Sequence, residues 1–329
     1  MNKRERLLAA VSGDTVDRTP VILYRHWPGD DQRAADLAKA LIAFQKQFDW
    51  DALIIAPATN YAVMDYGVQD IWDGQLNGAR TIIKRPITRS LDWTELRVLE
   101  PTRGVISQQL DCVRLVKEQI KDETPIIFQL YNPLALAAKL AGPQQLIHHL
   151  RRQPERVKTG LNVITDSSLR LTAELQRLSI DGFHYVMEHA DLGFMTQDEY
   201  GEFGATYDWA ILGDMPPQFW LNIVELRGNA PMVGYVSGYP VQVLSWNVPE
   251  VEPDIMWGRA AFAGAIMGGL SAEAQLHMGT PHIIRDAMRR TIAETQRRRF
   301  ILGTGDALRV TSALSNLRAA RDAVEMRLE

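Results

Sequence analysis

Eight short apolar runs, each flanked by turn residues and separated by segments of helical spacing, restrict this chain to an α/β architecture. The runs cover residues 21–24, 52–56, 126–130, 183–186, 219–224, 241–244, 261–267 and 300–302. Continuous apolar runs of this length suit strands covered on both faces, as in a parallel sheet wrapped by helices. Between them, Ala34–Phe48 sets Leu37, Leu41, Phe44 and Phe48 on one stripe, and residues 154–178 space Val157, Leu161, Ile164, Leu169 and Leu171 in the same way. Residues 282–297 and 315–328 repeat the helical pattern, and residues 78–87 read as a small hairpin after the second strand. Eight strands alternating with helices fit a single (β/α)8 TIM barrel over residues 1–329, with an open doubly wound sheet as the alternative.

Charge and cysteine content narrow the function classes. Thirty-six Lys and Arg stand against 40 Asp and Glu, a formal charge of -4, which gives no general reason to bind nucleic acid or an anionic membrane. Cys112 is the one cysteine, so neither an internal disulfide framework nor a multi-cysteine metal site is open to a single chain. The first residues are too charged for a signal peptide, and no apolar run reaches the ~18 to 20 residues of a membrane helix. A cytoplasmic protein is expected.

In a barrel, chemistry sits at the C-terminal strand ends. The first strand runs into Arg25 and His26, a planar donor fork beside a proton carrier, although Arg25 has a simpler use in a salt bridge to Asp30 or Asp31. Asn60 and Tyr61 follow the second strand, and Asn132 follows the third; all three offer hydrogen bonds to a substrate. The fourth strand carries His184 and leads to Glu188, His189 and Asp191, a set suited to general acid–base work or to structural hydrogen bonding. Glu225 and Arg227 stand two apart at the fifth strand end and so project to one face. The last run enters Gly303-Thr304-Gly305-Asp306. His148 and His149 read as surface helix residues, and Arg297–Arg299 as a basic helix end that meets the helix dipole.

Taken in order, these segments resemble the uroporphyrinogen decarboxylase superfamily, which includes the decarboxylase and zinc-dependent methyltransferases serving corrinoid proteins and thiols. The matching segments are KRERLLAA at 3–10, VDRTPV at 16–21, FDWDA at 48–52 and NPL at 132–134 with Gly142. QPERV at 153–157, TQDEY at 196–200, GTP at 279–281, ILGTG at 301–305 and Asn316-Leu317 complete the set. The resemblance implies a TIM barrel with its funnel at the strand C-termini, and a homodimer.

The departures from the family pattern carry further expectations. Arg25 matches the first arginine of the decarboxylase's carboxylate grip, without an evident second. The decarboxylase's aspartate, tyrosine and histidine fall at Ala58, Lys139 and Thr304, so authentic uroporphyrinogen turnover is not expected. At the methyltransferases' His-x-Cys and Gly-Cys zinc ligands stand Glu225, Arg227 and Asp306. Arginine stays protonated and cannot ligate zinc, so an acid–Arg–acid cluster and no metal are expected there.

The leading expectation is a cofactor-independent, decarboxylase-like lyase acting on a carboxylated, possibly tetrapyrrole-like substrate. Arg25 and Arg227 hold the carboxylate, with Glu225, Asn60, Tyr61, Asn132 and His184 as further binding residues. His189 is the proton donor, with His26 and Asp306 as further catalytic candidates. The alternatives are a methyl- or alkyltransferase partner of a corrinoid protein and a non-catalytic paralogue that binds a ligand or pairs with an active relative.

Overall fold

The computed structural model describes residues 1–213 and 215–325. Seven parallel strands hydrogen-bond in a continuous curled sheet: β1 (Leu53–Ile55), β4 (Ile126–Tyr131), β5 (Gly182–Met187), β6 (Ile223–Leu226), β7 (Val243–Ser245), β8 (Ala265–Gly269) and β9 (Phe300–Gly303). A separate antiparallel hairpin, β2 (Gln69–Ile71) with β3 (Thr81–Lys84), is inserted after β1. It is the expected hairpin, starting earlier in the chain.

The eighth stave is the segment around Val21. It pairs by bridges rather than as a regular strand: the Ile22 amide donates to Leu302 and Leu302 donates back to Pro20, while on the other side Asp51 donates to Val21. The ladder breaks because its partner changes. Tyr24 accepts from Leu308, beyond the turn that follows β9. With this segment between β9 and β1 the fold is a TIM barrel.

Alternation along the strands divides the apolar residues into two cores. Outward-facing Leu53, Ile55, Phe128, Val224, Leu244 and Ile266 pack under the helices. Inward-facing Ile22, Ile54, Ile127, Ile223, Val243 and Ile301 plug the barrel. Two residues further along, the inward positions turn polar: Gln129, Glu225 and Ser245, with His184 beside them, all fully buried. The barrel is therefore sealed below and chemically equipped above.

Several boundaries move from those expected. The run at 219–224 becomes β6 at Ile223–Leu226, because Phe219 packs edge-on to Phe183 before the strand begins. The run at 261–267 becomes β8 at Ala265–Gly269, its first residue ending the helix Ile255–Ala261. The helix Pro281–Thr295 stops before the arginine triplet, capped by left-handed Gln296, so Arg297–Arg299 lie in the following turn and not on a helix end. The last helix spans Leu314–Ala323; the expected continuation over 326–328 lies outside the described residues. His149 is buried, not a surface residue: its Nδ1 accepts from Trp93 Nε1 at 3.0 Å. Among the described residues no helix is long and apolar enough to cross a membrane.

Candidate active site

Glu225 forms the floor of the site. Its carboxylate is fully buried and accepts from the Tyr24 hydroxyl at 2.7 Å, His184 Nε2 at 3.1 Å and Arg227 Nε at 3.1 Å. Burial alone would push this acid up; the neighbouring His184 and Arg227 outweigh it and hold Glu225 at about 2. The other ring nitrogen of His184, Nδ1, is buried and has no hydrogen-bond partner among the described residues.

Arg227 lies one layer higher, two residues along the same chain. Its Nη2 donates to the Tyr24 hydroxyl at 3.0 Å and lies 4.0 Å from Asp306 Oδ1, while its Nη1 donates to Glu188 Oε1 at 3.3 Å. The acid–Arg–acid arrangement thus forms with Glu225 and Glu188 as the close acids and Asp306 at longer range. The other oxygen of Glu188 meets Lys139 Nζ at 3.3 Å, and that ammonium sits 4.4 Å over the Tyr131 ring. Two cations therefore share one carboxylate. Asp306 is drawn the other way, toward Arg309 Nη1 at 2.8 Å.

Above this layer opens a cavity of about 630 Å3, lined by Glu188, His189, Phe194, Arg227, Asn247 and Asp306 among others. Two loops shape it. His189 holds a left-handed backbone at φ 73°, a costly conformation for a histidine, and its ring stacks on Phe194 at 4.2 Å. Burial lowers the His189 imidazole below its ordinary range, against the pull of Glu188. Opposite, Gly305 passes so close to Trp246 that an added Cβ would stand 1.9 Å from its carbonyl oxygen, so only glycine lets the chain turn there and present Asp306.

The structure separates the other candidates from this cavity. Arg25 stacks on Trp27 at 4.4 Å and donates to the Val310 carbonyl; it makes neither of the expected salt bridges and does not line the cavity. His26 is buried, with Nδ1 on the Pro57 carbonyl at 3.0 Å. Burial, then the Arg227 charge, pushes it down to about 3, which keeps it neutral near pH 7 and unsuited to donating a proton as an imidazolium. Asn60 ties the hairpin down through Asp70 and the Arg80 carbonyl. Tyr61 is buried in the outer core and spends its hydroxyl on the Gln129 carbonyl. Asn132 caps the helix Pro133–Ala141 by accepting from Ala135. All three side chains make contacts within the framework, and none of them lines the cavity.

Two members of the site, Tyr24 and Lys139, are not among the candidates read from the sequence, whereas Glu188 is, beside His189. Tyr24 ends the first apolar run. Lys139 is the one charged residue in the otherwise apolar helix PLALAAKLA, which was the signal available for it.

The residues do not fit the zinc of the methyltransferase branch. Glu225 and His184 bond to each other, the next position is a guanidinium, and among the described residues no three His, Cys, Asp or Glu side chains group to hold a metal.

A family model described as uroporphyrinogen decarboxylase (URO-D) matches residues 2–326. Among solved structures, a methyltransferase from Methanosarcina mazei is 16% identical with a TM-score of 0.86, over 98% of each chain. A B12-independent methionine synthase from Shewanella sp. W3-18-1, in complex with selenomethionine, is 11% identical with a TM-score of 0.59, over 93% of this chain and 92% of that one. No curated protein matches the sequence significantly.

Proposed function

The chain belongs to the uroporphyrinogen decarboxylase family, and we propose that it is a cofactor-independent lyase that takes a carboxylated small molecule at the barrel mouth and releases carbon dioxide from it. The observation that carries this reading is the Glu188 carboxylate, held between Arg227 and Lys139 at the cavity wall. A site that already holds one carboxylate between two cations has the charge and spacing to hold another. An incoming carboxylate that takes the Arg227 face leaves Glu188 on Lys139.

In the reaction the bond from carbon to the carboxylate breaks and its electron pair stays on that carbon. A substrate without help from a cofactor must carry its own electron sink, as a pyrrole or a carbonyl neighbour does. The carbon then takes a proton, and His189, at the cavity wall beside Glu188, is the group that supplies it. Glu225 and Tyr24 hold the Arg227 guanidinium in place, so its orientation is set before substrate arrives. A homodimer belongs to the same reading, supported by half-exposed Tyr235 and Trp257 in a hollow beside the mouth.

The test is carbon dioxide release from a panel of tetrapyrrole carboxylates and small keto and dicarboxylic acids, with Arg227→Gln and His189→Gln alongside. Release that both variants cut by about 100-fold or more supports the roles. Methyl transfer from a methyl-corrinoid with no carbon dioxide release would replace the lyase reading with the transferase one.

A further inference from the structure

At the end of the barrel opposite the mouth, three guanidinium groups share a cavity that, among the described residues, no carboxylate lines. Arg259, from the helix Ile255–Ala261 that precedes β8, and Arg298 and Arg299, from the turn that precedes β9, surround a hollow of about 420 Å3 completed by Gly13, Met256 and Ala260. Among the described residues none of these three arginines has an ion-pair partner. Arg259 Nε is enclosed without an acceptor, and its Nη1 reaches nothing better than the Met256 sulfur at 3.4 Å. Burial and the nearby Arg299 charge both make Arg259 harder to keep protonated.

Other arginines at this end of the barrel do have carboxylate partners. Arg6 and Arg18 share the buried Asp51, and Arg321 pairs with Asp49 and Glu325. Three charges without carboxylate partners around one hollow stand in contrast to these pairs. The end of a helix offers Arg259 only about half a negative charge, too little to balance three full positive ones. The backbone that carries two of them is fixed: the Arg299 carbonyl accepts from the Ile266 amide at 3.0 Å and the Arg298 amide donates to the Thr295 carbonyl at 3.1 Å, while the Arg299 side chain lies against Gly13.

We propose that this cavity binds an organic phosphate, with a dianionic phosphoryl group among the three guanidiniums and its organic part against Met256 and Ala260. Arginine forks match phosphate oxygens in pairs, and a double negative charge answers the cluster better than a single carboxylate. A compact hollow with one apolar wall, on a chain of net charge -4, favours a small molecule over a nucleic acid strand. The site is independent of the lyase reading, since the mouth lies at the other ends of the strands.

The experiment is isothermal titration of the full chain with inorganic pyrophosphate, with circular dichroism on every variant to confirm folding. One saturable site is expected, weakened roughly ten- to a hundred-fold by Arg259→Gln and by the exposed Arg298→Gln. Arg227→Gln and Arg4→Gln are expected to leave it unchanged. No binding at millimolar pyrophosphate, binding that survives both Arg259→Gln and Arg298→Gln, or binding lost with Arg227→Gln would overturn the proposal. Tighter binding of a short RNA than of pyrophosphate, sensitive to the same variants, would also overturn it.

Discussion

Arg227 Nε donates to Glu225 Oε1 across 3.1 Å, two residues along one chain, so that a buried acid fixes the direction of a guanidinium at the cavity wall. The same acid also accepts from His184 and Tyr24, and Tyr24 in turn accepts from Arg227. The mouth of the barrel is thus organised around one carboxylate.

Removing that carboxylate leaves a mostly buried guanidinium without its nearest counter-charge. Glu225→Ala is expected to cost about 3 to 5 kcal/mol of stability, and Glu225→Gln less, because the amide oxygen still accepts. Urea denaturation measures both. A loss below about 1 kcal/mol for Glu225→Ala would show that the cluster is not held as described.

Two buried acids give opposite pH slopes. Glu225 is held at about 2, below its ordinary 4.5, so its contribution is complete above pH 4.5 and is lost as pH falls toward 2. Asp208 is fully buried and is pushed up to about 6 by burial, even though the hydroxyls of Tyr185, Tyr200 and Tyr239 all donate to it. Its native state keeps a proton that the unfolded chain releases, so this contribution falls as pH rises from about 4 to 6. The difference amounts to about 3 kcal/mol. Asp208→Asn is expected to flatten that limb of the stability curve and leave the acid limb below 4.5 in place. An unchanged slope between pH 4 and 6 contradicts the assignment.

The zinc argument can be run in reverse. If side-chain identity alone closed the metal site, the triple variant Glu225→His, Arg227→Cys, Asp306→Cys should bind zinc, while the native chain takes up none. Competition with a chromogenic chelator reads both. Stoichiometric zinc on the native chain would mean that the guanidinium does not occupy the metal's place.

His189 donates a proton only when protonated, and burial lowers its affinity for one. Decarboxylation is therefore expected to speed up as pH falls from 8 toward 6, with Glu188 still ionised because Lys139 and Arg227 hold it below 4.5 against its burial. His189→Gln should remove that rise. A profile of the same shape in the variant would assign the proton to another group.

The barrel was legible in the sequence because its strands are short buried runs, and burial on both faces leaves a continuous apolar signature. The signature weakens where apolar residues serve something else. Phe219 and Leu221 are apolar yet lie ahead of β6, packing at its entry, so the apolar run begins before the strand does. The pairing of Glu225 with Arg227 was readable from their spacing of two. Their partners were not: Tyr24 reaches Glu225 from 201 positions away, and Lys139 reaches Glu188 from a separate helix. Arg25 poses the converse problem. Its neighbour Trp27 takes the guanidinium face, and no local pattern distinguishes such stacking from readiness for a substrate.

The most direct measurement is calorimetric titration of the carboxylate panel into the native chain, Arg227→Gln and Lys139→Gln. The expected result is a carboxylated ligand that binds the native chain and is weakened about ten-fold or more by each variant, most by Arg227→Gln, while Arg25→Gln leaves it unchanged. Equal affinity for the native chain and Arg227→Gln would contradict the assignment of the Glu188–Arg227–Lys139 cluster as the carboxylate site.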